Sequence, residues 1–214
     1  MLAKIREPFN SLSHLSGAII AFFGSIVLLI VGWGGRAKII SLLVYGLSLV
    51  ILFSASASYH LVKAIRTQKI LRKLDHSAIY ILIAGTYTPF CVNAFNGFFR
   101  WGLLAIIWTI ALCGILIMVF YVNAPRWLNA AVYVVMGWLC LSAVGQMSTA
   151  LSPAALFWLI AGGVIYTIGA VVYATKLFNF IPGIFGFHEV WHIFVLLGAL
   201  AHFISVMMLL VSPT

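Results

Sequence analysis

Charge is nearly absent from this sequence. Of 214 residues only 7% are charged, and only Glu7, Asp75 and Glu189 are acidic. Soluble domains carry about 25% charged residues, so this chain has too little polar side chain to cover a surface in water. Cysteine is scarce as well. Cys91, Cys113 and Cys140 fall inside apolar runs without a CxxC pair, which excludes a disulfide framework and a cysteine metal knuckle. Low-complexity tracts and internal repeats are missing, and so is any basic face interleaved with aromatics. Nucleic-acid binding is therefore excluded despite a formal charge of +9.

What fills the chain instead is apolar: 64% of residues are hydrophobic and 14% aromatic. At about 20 residues per membrane-spanning helix, the length holds seven spans and six short connections. Charge, Pro and Gly mark them near 15–34, 38–62, 75–95, 101–122, 127–147, 154–174 and 187–211. The breaks are GWGGRAK, KAIRTQKILRK, NGFFR, NAPR, MSTALSP and TKLFNFIPGIFG. The basic N-terminus leads into an apolar run with no small-residue cleavage site, so the run reads as a retained first span. Pro89 removes one backbone donor late in the third span and predicts a kink there. The expectation is an all-α membrane protein, a single seven-transmembrane-helix bundle over residues 1–214.

Orientation follows from Lys and Arg. An odd number of spans puts Lys4, Arg6, Lys63, Arg66, Lys69, Arg72, Lys73, Arg126 and Lys176 on one side and Arg36, Lys38 and Arg100 on the other. Nine against three predicts a cytoplasmic N-terminus and an outside C-terminus in a cell membrane. Anionic lipid headgroups account for the basic excess.

Ionisable groups within spans are costly and mark function. On this topology His60 lies at the inner end of span two, Asp75 and His76 begin span three, and His188, Glu189 and His192 open span seven. Three helices from distant parts of the chain thus bring imidazoles and a carboxylate to one depth. His188 and His192 are four apart and project from one helix face one turn apart. Ser56 stands one turn from His60 in a stretch of small residues (Ser54, Ala55, Ser56, Ala57, Ser58) that allows close helix approach. Three neutral imidazoles with an open fourth position suit a catalytic zinc ion, and zinc can bring the pKa of its water to roughly 7. Asp75 would orient or deprotonate that water. Each residue also has an ordinary reading: His60 as an interfacial histidine, Asp75 as a helix N-cap, Ser56 as a hydroxyl bonded to its own helix.

Residues 188–192 read HEVWH and satisfy the metalloprotease pattern H-E-x-x-H. A protease would need a third ligand from a later segment, and no acidic residue follows. Glu189 is instead placed at the interface or in support of the site. His202 lies about 15 Å beyond His192 along the helix, too far to share an ion. It is expected to line a polar cavity or to bond a neighbouring helix such as the one carrying Gln146. His14, with Glu7 and Asn10, is expected to cap the site in a structural role, and His76 is assigned no ligand role.

Ser56-x-x-x-His60, LDHSAIYILIAGTYTPF (74–90) and FHEVWHIFVLLGALAHF (187–203) together resemble the signature blocks of the hemolysin III proteins. These are the bacterial branch of the progestin and adiponectin receptor family. The resemblance implies seven helices, an inside N-terminus, and zinc near the cytoplasmic face held by His60, His188 and His192, with Asp75 and Ser56 beside it. It also implies amide hydrolysis on a lipid, because the wider superfamily includes zinc-dependent ceramide hydrolases. Membrane lipids would then be both environment and substrate, in a role in lipid homeostasis. No soluble adiponectin-like ligand is expected. The other reading is a non-enzymatic homeostasis sensor or haemolytic pore with structural zinc.

Overall fold

The computed structural model describes residues 5–120, 125–181 and 185–211. They form helices α1 (Pro8–Val31), α2 (Arg36–Leu61), α3 (Ile65–Asn93), α4 (Gly97–Phe120), α5 (Arg126–Trp138), α6 (Val144–Ala150), α7 (Pro153–Thr175) and α8 (Phe187–Val211). Among the described residues there is no strand, only an isolated bridge between Ile181 and Phe185. A 3₁₀ turn, Leu139–Ala143, joins α5 to α6, and together they make one element of spanning length, Arg126–Ala150. Among the described residues six helical elements are long and apolar enough to cross a membrane. The outward faces suit lipid: Ile20 is 69% exposed and Phe120 74%, in patches that a protein in water would not present. The chain is a multi-pass membrane protein.

α3 is the seventh long helix and the polar one. Its apolar half carries Thr86, Tyr87 and Thr88, all buried, which it can afford because α2, α4, α5 and α8 pack around it. The Tyr87 hydroxyl reaches the carbonyls of Met136 (3.0 Å) and Gly137 (2.7 Å), which the helical break after Trp138 leaves available. Trp108 Nε1 donates to Thr88 Oγ1 at 3.2 Å. Close packing relies on small residues: a Cβ on Gly85 would meet Ser48 Oγ at 2.3 Å, and one on Gly46 would meet Ser25 Oγ at 2.4 Å. α8 packs on both α7 and α1 and so closes the bundle.

Two boundaries differ from the sequence reading, and both matter for the site. α1 starts at Pro8, not near residue 15, because proline suits the first helical position; Asn10, Ser11 and His14 are thereby brought into the core. The basic segment KAIRTQKILRK is not a loop. α3 begins at Ile65 with Ala64 at its N-cap position, so Asp75 stands well inside the helix and the N-cap reading of Asp75 is wrong. Ile70, Leu71 and Leu74 share one face there, largely away from Arg66, Lys69, Arg72 and Lys73, which makes a charged amphipathic helix start and not a connection. The helix also runs through Pro89 to Asn93. Part of the NAPR break and part of the α7–α8 connection lie outside the described residues.

Candidate metal centre

Three helices build the site. α2 delivers His60 from its last turn, α8 delivers His188 and His192 from its first two turns, and α3 delivers Asp75 and His76. His60 and His192 are 1% and 2% exposed. One ligand nitrogen from each of His60, His188 and His192 lies within 4.8 Å of the others. The rings form a near-equilateral triangle, with centroids 5.1 Å apart for His60–His188, 4.7 Å for His60–His192 and 5.0 Å for His188–His192.

The His188 Nε2 to His60 Nε2 separation is 3.5 Å. Two imidazoles on one tetrahedral zinc, each about 2.0–2.1 Å from it, hold their nitrogens about 3.3 Å apart. His192 Nδ1 is buried without a hydrogen-bond partner, and such an orphan in a dry interior costs stability unless something binds it. The donor set therefore fits a metal ion that prefers nitrogen.

Asp75 and Ser56 lie close enough to interact. Both line a cavity of about 40 Å³ whose wall also includes His14, His76, His188 and His192. That volume holds a few water molecules. A second cavity of about 210 Å³ adjoins it. The two share Leu52, Ile79, Tyr133, Trp191 and Val195 in their walls. The larger one is lined almost wholly by apolar groups, among them Ile83, Phe90, Val134 and Leu156. His76 touches the smaller cavity, and its backbone carbonyl accepts the Tyr133 hydroxyl at 3.1 Å.

α1 contributes more than the sequence reading gave it. The His14 ring stacks on His192 with centroids 3.8 Å apart and planes 27° apart, and both its nitrogens are buried and unpartnered. The Glu7 carboxylate contacts His60 Nδ1, and Arg6 meets the other Glu7 oxygen at 3.0 Å. Burial alone would raise the Glu7 carboxyl. The hydrogen bond and charge of His60, with Asn10 and Arg6, instead push it down to about 2. The Asn10 amide donates both to Glu7 Oε2 (3.1 Å) and to Glu189 Oε1 (2.8 Å). Glu189 Oε2 in turn accepts the Gly186 N–H at 2.8 Å, at the start of α8. Glu189 thus supports the end of the helix that carries the histidine pair and points away from the protease role.

The sequence held a signal for this contribution. Glu7, Asn10 and His14 recur at three- and four-residue spacing, which places them on one helix face.

His202 stands apart from the cluster. Its Nε2 lies 3.1 Å from the Leu159 carbonyl of α7, which ties two helices together, and its ring lines the larger cavity. Gln146, the suggested partner region, instead accepts the Asn96 N–H at 3.0 Å.

With this geometry in hand, comparison with known proteins is informative. The family profile described as "Haemolysin-III related" matches residues 2–203. The chain is 36% identical to the hemolysin-3 homolog of Bacillus subtilis, over 94% of this chain and 92% of that protein. It is 36% identical to hemolysin-3 of Bacillus cereus, covering 94% and 90%. The human monocyte to macrophage differentiation factor is 28% identical over 80% of this chain and 71% of that protein.

Proposed function

From the premise that the chain belongs to the haemolysin-III-related family, we propose that it is a zinc-dependent hydrolase of lipid amide bonds that serves membrane lipid homeostasis. In this reading the N-terminus and the site face the cytoplasm, as the Lys and Arg asymmetry requires. The single observation that carries it is that His188 and His192 of the three-histidine cluster line one small cavity with Asp75, and that this cavity adjoins an apolar one. A metal site that only braced the fold would need neither.

The residues divide the work. His60, His188 and His192 hold the ion, which supplies a Lewis acid and an activated water near neutral pH. Asp75 accepts a proton from the attacking water and returns it to the leaving nitrogen. Ser56, beside it, orients the carboxylate. Tyr133 and Trp191, shared by both cavities, form the throat between the histidine-lined chamber and the acyl-chain channel. The larger cavity excludes water and holds one long acyl chain, so the carbonyl reaches the histidines at fixed depth.

The test is turnover of a ceramide-like amide by purified protein in lipid nanodiscs, wild type beside Ile83→Trp. Ile83 lines the acyl cavity and not the smaller cavity that His188 and His192 line. Filling that space is expected to lower turnover of a long-chain amide by about tenfold to a hundredfold and to leave bound metal unchanged. Equal turnover by both proteins would contradict the channel, and intact amide with metal-loaded wild type would contradict the hydrolase.

A further inference from the structure

The short segment before α1 is built into the histidine cluster. The Glu7 N–H donates to the His60 carbonyl at 3.1 Å, and the Arg6 N–H donates to the Leu61 carbonyl at 3.4 Å. The segment is therefore pinned along the end of α2. The side chains follow the backbone: Glu7 against His60 Nδ1, the Arg6 guanidinium 3.0 Å from Glu7 Oε1 and 4.4 Å above the Tyr59 ring. Asn10 continues the chain of contacts to Glu189 and so to the start of α8.

A carboxylate can only accept a hydrogen bond. Its contact with His60 Nδ1 therefore requires the proton on Nδ1, which leaves the Nε2 lone pair free. Nε2 is the nitrogen that faces His188 Nε2. Histidines that hold metals regularly give their other N–H to a carboxylate, which fixes the tautomer and the ring plane and raises ligand basicity. His60 is the ligand most in need of this, because it comes from a different helix than the His188–His192 pair and sits in the last turn of α2.

We propose that Glu7 is a positioning residue for the metal centre, holding His60 in the Nε2-ligating tautomer, and that Arg6 and Asn10 hold Glu7 in place. This rests on the reading of the three histidines as metal ligands and is independent of whether the site hydrolyses anything. The N-terminal segment thereby becomes part of the metal centre, not a leader to the first span.

The experiment is zinc competition titration on full-length wild type and Glu7→Gln, with the visible spectrum of the cobalt-substituted proteins and circular dichroism alongside. Glu7→Gln keeps the shape and removes the charge. Zinc affinity is expected to fall by about 10- to 100-fold, with a shifted cobalt spectrum and unchanged helix content. Equal affinity and superimposable cobalt spectra would overturn the proposal and leave the three-histidine site standing. Absence of metal binding by wild type would overturn both. Should Glu7→Gln fail to fold, wild type with nitrogen-labelled histidine gives the answer directly. A proton on His60 Nδ1 is expected, and a proton on Nε2 in the metal-free protein would overturn the assignment.

Discussion

His192→Gln is expected to strip the metal from the protein while leaving the bundle folded. His192 is 2% exposed, forms one corner of the histidine triangle, and is stacked on one side by His14. Its removal takes away one of the three histidines that cluster among the described residues, and the glutamine fills much of the same space. Loss of a group that merely orients a ligand costs about 10- to 100-fold in affinity; loss of the ligand itself should exceed that. Elemental mass spectrometry on purified protein should fall from about one zinc per chain to background, as a single tetrahedral site requires, with circular dichroism unchanged. Acid should release the metal from wild type as well, because protonated imidazoles do not ligate. Stoichiometric zinc in His192→Gln would remove that residue from the site.

Asp75→Asn separates chemistry from binding. Asp75 shares the cavity wall with His188 and His192 but is not one of the three clustered ligands. The variant is therefore expected to keep its metal and to lose turnover by about 10²- to 10⁴-fold, the range for a positioned general base. The loss should fall on kcat more than on KM, since the acyl cavity is untouched. Loss of metal in Asp75→Asn would make Asp75 a fourth ligand and the site a closed one, which is the mark of structural zinc. Full turnover would exclude Asp75 from the chemistry.

The helices and the meeting of His60, His188 and His192 were legible in the sequence for physical reasons. Apolar runs of spanning length have few alternatives in a bilayer, and ionisable groups inside them stand out because they are costly. The start of α3 was not legible. Five cations between Lys63 and Lys73 look like a loop when polarity is counted, whereas Ile70, Leu71 and Leu74 share one helix face that the charges mask. That misplacement made Asp75 look like an N-cap.

The role of α1 was only half visible. Glu7, Asn10 and His14 share a face by spacing. Their contacts with His60, Glu189 and His192 depend on α1 packing against both α2 and α8, which no local pattern encodes. The two cavities were equally hidden. Both are walled by residues of α2, α3, α5, α7 and α8, Tyr133 and Trp191 among them, and interhelical space is a property of the packed bundle.

One zinc ion is expected among His60, His188 and His192. Anomalous-difference maps from crystals of the wild-type protein, collected on either side of the zinc absorption edge, should show one peak about 2.0–2.1 Å from a ring nitrogen of each histidine, at Nε2 for His60, with the fourth position open toward Asp75. Three histidines with no peak in protein purified without chelator would contradict it, as would a peak whose fourth ligand is a protein side chain.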